Sequence, residues 1–381
     1  MPVPYHRPSI TNAETEAVQK VLESGWLTTG KVTAEFEGEI AARVGSRYAV
    51  AVNSATAALH IALASLDLGP GDEVIVPTHT FAATSEVVIY TGATPVLVDV
   101  ERDNLNMDPA GVEAALTPRT KAMMPVHFTG QAADMDALIA IAGDIPIVED
   151  AAHALPTTYK GQMVGSIGLA TAFSFYANKT ITTGEGGMLT TDDPNIEDRA
   201  RRLSLHGLSR AAWSRFESGS TWEYDIVEAG FKYNLTDVAS AMGLAQLQRL
   251  DELATRRREI ALTYNEAFSG LAEIDPLVVP RHDDSAWHLY IIRLRLEHLT
   301  IDRNTFIARL ADRGIGTSVH YKPLHLHPYY TTRFGFDRSD FPVSSDQFDR
   351  IISLPIFPGM THGDVTEVIE GVEDIVRSSR R

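Results

Sequence analysis

The chain has 381 residues, 44% hydrophobic and 22% charged, with 27 Gly, 19 Pro and no Cys. This apolar content excludes disordered and collagen-like classes, the length suits two packed domains better than one, and the lack of cysteine removes disulfides, thiolate metal sites and cysteine nucleophiles. A net charge of −17 argues against a nucleic-acid backbone or an anionic membrane as main partner, but not against one phosphate held by a few local donors.

The opening stretch MPVPYHRPSITNAETEAV lacks the basic-then-apolar layout of a signal peptide. No run reaches the roughly 18 apolar residues of a spanning helix. The expectation is a soluble cytoplasmic protein. Short apolar runs then follow one another: GDEVIVP, TPVLVDV, TKAMMPVHF, IPIVEDA, ATAFSFY and GGMLTTD, each reading as a buried strand. Amphipathic stretches lie between several of them: SATAALHIALASL, AATSEVVIYTG and AADMDALIAIAGD. Strand, helix, strand repeated over roughly residues 45–195 predicts an α/β unit with a mostly parallel sheet covered on both faces. From Leu235 one long helical pattern, running through VASAMGLAQLQRLDELATRRREIALTYNEAFSGL, is expected to join two domains, with the boundary near residue 250. HLYIIRLRL (a strand) and IDRNTFIARLADRGIG (a helix closed by glycine) predict a smaller C-terminal α/β domain. TRRREI, Thr255–Ile260, reads as a solvated basic face, and Arg377, Arg380 and Arg381 as a solvated tail.

In open parallel sheets ligands sit beyond the carboxyl ends of the strands, so the residues after each apolar run are the ones to read for chemistry. Lys179, one of seven lysines, follows ATAFSFY and precedes the hydroxyl- and glycine-rich TITTGEGG. A partly desolvated lysine there can lose its proton and attack carbonyls, although on position alone a loop-capping surface lysine is the simpler reading. Asp150 ends IPIVE, where an acid is costly unless it meets a cation such as a protonated pyridine nitrogen; a helix N-cap for AAHAL is the alternative. Asn53-Ser54-Ala55-Thr56-Ala57 opens a helix after YAVAV, and such a start binds phosphate through free N–H groups; Ser54 as a plain cap is the alternative. Ser174 adds a hydroxyl. A lysine, an acid for a ring nitrogen and a helix start for a phosphate together describe pyridoxal 5′-phosphate. GEGG lacks the spacing of a dinucleotide fingerprint.

In this order SGWLTTG, NSATAALHIAL, EVIVPTHTFAATSEVV, GATPVLVDV, VEDAAHA, FSFYANKTITTGEGG and GFKYNLTDVASAMG resemble the motifs of the DegT/StrS family of pyridoxal-phosphate sugar aminotransferases. The resemblance spans nearly the whole chain. It implies an aspartate aminotransferase-like (fold type I) large domain, 1–250, with a smaller domain, 251–381. By position it implies Lys179 as the lysine bonded to the cofactor and Asp150 as the partner of the pyridine nitrogen. Ala55, Thr56 and Ser174 would hold the phosphate, Phe81 would stack on the ring, and Asn234 would reach the phosphate of a neighbouring subunit in a homodimer with shared sites. His153 stands where many members have Gln. With WLTTG (Trp26, Thr28, Thr29) it looks more like the branch that aminates C4 of UDP-linked 4-keto sugars, with His153 beside the cofactor's phenolic oxygen; a buried, satisfied histidine is the other reading. The implied reaction moves an amino group from an amino acid, glutamate, to a nucleotide-linked keto sugar. A different ketone, such as a 3-keto dTDP-sugar or a cyclitol, or a non-transaminating reaction of the same cofactor, is the alternative. His320, His325 and His327 match the small-domain motif near the sugar nucleotide. They have no carboxylate or thiol at ligand spacing, so substrate contact at His320 and His325 is expected and a metal is not.

Overall fold

The computed structural model describes residues 2–209, 224–279 and 284–381. Helices α1 (Asn12–Ser24) and α2 (Lys31–Val44) lead into strand β1 (Tyr48–Val52) and helix α3 (Ala55–Ala64). Then alternate β2 (Glu73–Pro77), α4 (Ala83–Tyr90), β3 (Thr94–Val98), α5 (Pro109–Ala115), β4 (Thr120–Met123), α6 (Met135–Ala142) and β5 (Val148–Asp150). A hairpin, β6 (Thr158–Tyr159) with β7 (Gln162–Met163), precedes β8 (Ala170–Ser174), β9 (Gly187–Thr191) and α7 (Pro194–Ser204).

The hydrogen-bonded order is β1-β9-β8-β5 and β3-β2-β4. Parallel bridges Met123–Ile147 and Val126–Asp150 join the two groups into one sheet, β1-β9-β8-β5-β4-β2-β3. All its pairings are parallel except those of β9, which runs against both neighbours. Its apolar runs are nearly continuous because both faces are covered: Val50, Val74, Val76, Val148, Ala172 and Leu189 pack with the almost wholly buried α3. The expectation of a mostly parallel, doubly covered sheet is met. Helix α5 was not anticipated, because it has only seven residues, from Pro109 after the Asp108 cap to Ala115.

The long helix expected from Leu235 is instead two, α8 (Asp237–Leu247) and α9 (Leu250–Phe268). The break carries polar tethers rather than a proline or glycine. Gln246 Nε2 donates to Ser9 O at 2.9 Å and to Glu14 Oε1 at 2.6 Å, and Arg249 donates to Ser9 Oγ at 3.0 Å and to Glu14 at 3.2 Å. Beyond it lie β10 (Ile274–Pro276), β11 (Tyr290–Leu294), α10 (Arg303–Asp312), α11 (Pro328–Phe334), α12 (Pro342–Arg350), β12 (Ile351–Leu354) and α13 (His362–Ser379). The antiparallel sheet β10-β11-β12 packs on α9, α10 and α13 through Ile260, Tyr264, Ile292, Phe306, Ile352 and Val372, and Val3 of the N-terminal segment joins this cluster. The basic run on α9 is not a solvated face: Arg257 is 1% exposed. Nor is the C-terminus a free tail. Arg380 pairs with Glu273 at 2.5 Å, and Arg381 donates to Leu299 O at 2.7 Å.

Helix α2 starts at Gly30, which has no side chain to cap it, so the cap comes from α8. Asp237, 3% exposed, accepts from Gly30 N–H at 2.7 Å, Thr33 N–H at 2.9 Å and the Thr33 hydroxyl at 2.6 Å. Asp237→Ala leaves the Gly30 and Thr33 amides without this acceptor and is expected to cost about 2 kcal/mol in urea unfolding, with Asp237→Asn recovering most of the loss.

Candidate active site

The site lies along the sheet edge where β1, β5 and β8 end and the reversed β9 begins. Val52 and Ser174 both pair with Gly187, and Asp150 pairs with Ala172. Gly187 permits this closeness: a Cβ there would stand 2.3 Å from Ser54 C and 2.6 Å from Ala55 N. Ser54 caps α3, its Oγ accepting from Ala57 N–H at 3.1 Å. The first intrahelical bond comes from Ala58 N–H to Ser54 O at 3.1 Å, so the Ala55 and Thr56 amides belong to the unpaired start of the helix, where an anion is favoured.

Asp150 is 5% exposed. Its Oδ2 accepts from the Thr84 hydroxyl at 2.9 Å and its Oδ1 from Ala152 N–H at 3.1 Å. The residues after it form turns rather than a helix, which removes the N-cap reading. Burial pushes the Asp150 carboxyl above its ordinary value, while the bonds from Ala152 and Thr84 and the Lys179 charge work the other way. Strand alternation sends Glu149 to the opposite face. There its Oε1 accepts from Gly168 N–H at 2.7 Å and Thr171 at 2.8 Å, and its Oε2 faces His127 Nε2 at 2.8 Å. Because Ala133 N–H points at His127 Nδ1 (3.1 Å), the proton sits on Nε2 and is donated to Glu149. The sequence reading missed this pair; its signal was the first acid of the VEDA run, Glu149.

Lys179 sits in the β8–β9 connection, which Phe175 N–H to Gly186 O (2.8 Å) and Thr183 N–H to Phe175 O (3.0 Å) brace. Its amine lines a narrow cavity with Ala151, His153, Ser174, Thr180 and His288. Nζ is 3.4 Å from His288 Nε2. Burial draws the amine's pKa down to about 7; Asp150 opposes this and Arg257 adds to it. His153 and His288 lie 4.4 Å apart between ring centroids, and His153 Nε2 meets Tyr321 Oη at 3.1 Å. Burial, then the Lys179 charge, holds both histidines well below their ordinary pKa, so both rings are neutral. Tyr321 stands between His153 and the 59%-exposed Phe81, whose ring is 5.9 Å from it. His288, Tyr321, Thr84 and Arg257 were not singled out from sequence.

The structure separates the histidines of SVHYKPLHLHPYY. His320 Nδ1 meets Ser353 Oγ at 2.8 Å and its ring stacks on Tyr5 at 5.7 Å. The expectation of substrate contact at His325 is corrected. It is 0% exposed, with Nδ1 at 2.7 Å from Thr78 Oγ1 and Nε2 at 2.9 Å from Ser345 Oγ, so neither nitrogen is free for a ligand. His327 Nε2 faces Lys322 O at 3.2 Å. Among the described residues no three His, Asp or Glu side chains form a metal-binding group. In the WLTTG segment, Trp26 Nε1 donates to Thr29 O at 3.3 Å and Asp237 N–H donates to Thr28 O at 3.2 Å. Thr29 Oγ1 accepts from Asn234 Nδ2 at 2.8 Å, and Asn234 Oδ1 accepts from Lys232 Nζ at 2.7 Å. Asn234 itself bridges to Val52, at the β1 end of the same sheet edge.

A protonated nitrogen heterocycle bearing an aldehyde and a phosphate matches this donor set. There is a buried acid at one end, an amine of low basicity in the cavity and unpaired helix amides at the other end. Among the described residues, buried His153 Nδ1, Asn178 Oδ1 and His288 Nδ1 have no hydrogen-bond partners.

Fold and site together define an aspartate aminotransferase-like enzyme of fold type I. The chain belongs to the DegT/DnrJ/EryC1/StrS aminotransferase family, whose model matches residues 8–373. It is 50% identical over 383 residues to the spore coat polysaccharide biosynthesis protein SpsC of Bacillus subtilis (strain 168), covering 99% of this chain and 98% of the relative. Among solved structures it is similar to a Streptococcus pneumoniae protein described as a sugar aminotransferase, Spr1654, in its PLP form (38% identity, TM-score 0.92, 99% of both chains). It is also similar to Helicobacter pylori PseC, an aminotransferase involved in the biosynthesis of pseudoaminic acid (28% identity, TM-score 0.92, 99% of this chain and 100% of that one).

Acid should open the site. His79 is 0% exposed, accepts Tyr321 N–H on Nε2 at 3.1 Å, has His320 O at 3.2 Å from the same nitrogen and, among the described residues, has no partner for Nδ1; burial lowers its pKa from 6.5 to about 4. The unfolded chain therefore binds more protons between these values. The stability present above pH 6.5 drains as the pH falls toward 4, on the order of 3 kcal/mol for one such histidine. Urea unfolding at a series of pH values should show a slope of this sign, to which the other buried histidines add, and His79→Gln should reduce it by the share of one residue.

Proposed function

We propose that this chain is a pyridoxal 5′-phosphate-dependent sugar aminotransferase that moves the amino group of L-glutamate to a nucleotide-linked keto sugar, a UDP-4-keto sugar, in amino sugar biosynthesis. The observation that carries the reading is the Lys179 amine, drawn to about pKa 7 in a cavity at the sheet edge where the buried Asp150 ends its strand. Family membership supports the amino transfer, and the sugar aminotransferase and polysaccharide biosynthesis names of the relatives support the acceptor class. The 4-keto UDP-sugar rests on the combination of His153 with the WLTTG segment.

When bound, the cofactor supplies an electron-accepting ring and an aldehyde that exchanges between amines. In this reading the Asp150 carboxylate, oriented by Thr84 and Ala152, keeps a proton on the ring nitrogen. The Ala55 and Thr56 amides and the Ser174 hydroxyl take the phosphate, Phe81 covers the ring face and His153 lies beside its phenolic oxygen. Lys179 holds the cofactor at rest. Once released, its amine is neutral for a large fraction of the time near pH 7, so it can accept a proton from one carbon and return it to another. Trp26, Thr28, Thr29 and His320 border the acceptor. Two copies of the chain form the working unit, with Asn234 contributing from one to the other.

Lys179→Ala should abolish transfer of an amino group from glutamate to nucleotide keto sugars. Asp150→Asn should lower kcat by about a hundredfold or more while the circular dichroism spectrum stays native. Near-wild-type turnover in the lysine variant sinks the assignment.

A further inference from the structure

Arg257 on α9 is 1% exposed and, among the described residues, pairs with no carboxylate. Buried guanidinium groups ordinarily meet an acid. Among the described residues its hydrogen bonds all go to backbone carbonyls. Nη1 reaches Ile356 O at 2.9 Å, His288 O at 3.2 Å and Trp287 O at 3.4 Å, and Nη2 reaches Asn178 O at 3.4 Å. Two of these carbonyls belong to the supports of the Lys179 amine. Asn178 precedes it in the chain, and the His288 ring lies 3.4 Å from its Nζ.

We propose that Arg257 is a positioning residue for the Lys179 amine: its carbonyl bonds hold Asn178 and His288 around Nζ, and its unpaired positive charge favours the neutral amine. The groups that face Lys179 are Asp150 from β5, His153 from the turn after it, His288 ahead of β11, His320, His6 of the N-terminal segment and Arg257 itself. Burial keeps the four histidines neutral at pH 7, and it raises Tyr5, the group whose charge would act on Arg257, above its ordinary range. Asp150 and Arg257 are then the two charges that set the amine, one opposing its loss of a proton and the other assisting it. Burial lowers the guanidinium to about 10, which leaves it charged at neutral pH.

The function proposed above explains why a neutral amine matters here, but the test reads the amine and not turnover. Cofactor-free protein is acylated with acetic anhydride across a pH series, and labelling of the Lys179 peptide is quantified by mass spectrometry for wild type, Arg257→Gln and Arg257→Lys. The wild-type midpoint is expected near 7. The Lys variant keeps the charge and should stay there. The Gln variant, which can still donate to carbonyls, should move upward, so that labelling at pH 7 falls about threefold or more. An unmoved midpoint in the Gln variant, or equal shifts in both variants, overturns the proposal. If the Gln variant does not fold, the Lys variant decides: a midpoint at the wild-type value supports the proposal and a raised one defeats it. Borohydride trapping of the cofactor on wild-type Lys179 separately tests the functional reading, so the two can fail independently.

Discussion

An amine is neutral near pH 7 only where its ammonium form is made unfavourable, and the surroundings of Lys179 impose that constraint. Desolvation does the larger part, and it needs walls. They come from the β8–β9 connection, the turn after β5 and the His288 segment that leads into β11. A wall of neutral histidines is suited to the task. Each ring offers polar atoms to a ligand without adding a charge that would have to be balanced, and burial keeps each ring in that form.

The sheet supplies the opposite requirement, a carboxylate that stays where water is scarce. Asp150 and Glu149 are neighbours on one strand and face opposite ways. Glu149 has its bonds met by His127, Gly168 and Thr171. Asp150 accepts from Thr84 and Ala152 and retains capacity for a further donor. One acid is a finished structural unit and the other an open one, and the difference follows from which side of the strand meets the crevice.

Much of this was legible in the sequence because the large sheet is written in continuous apolar runs, and the rule that ligands sit at strand ends leads directly to Lys179, Asp150 and Ser54–Thr56. Features of long range were not legible. Nothing local in TRRREI separates the buried Arg257 from the half-buried Arg256 and Arg258, although its spacing with Leu253, Ile260, Ala261 and Tyr264 places it on the apolar stripe of α9. His288 reads as the opening of a strand until the chain folds it against Lys179. His325 shows the converse: a cluster dense in imidazole looked like ligand chemistry, and the fold spends that residue on Thr78 and Ser345. The break between α8 and α9 was hidden for the same reason, since its tethers run to Ser9 and Glu14 near the other end of the chain.

The reversal of β9 carries a consequence for how such a site can diversify. A crossover between parallel strands must travel the length of the sheet and usually brings a helix with it. A hairpin returns on the same side, so the Lys179 segment enters and leaves at one rim, with Ser174 and Gly187 facing each other across its base. Substitutions or altered spacing in the outer part of that segment could reshape the space offered to a second reactant while the strand registers beneath stay in place. One architecture could in this way host amines aimed at differently shaped ketones.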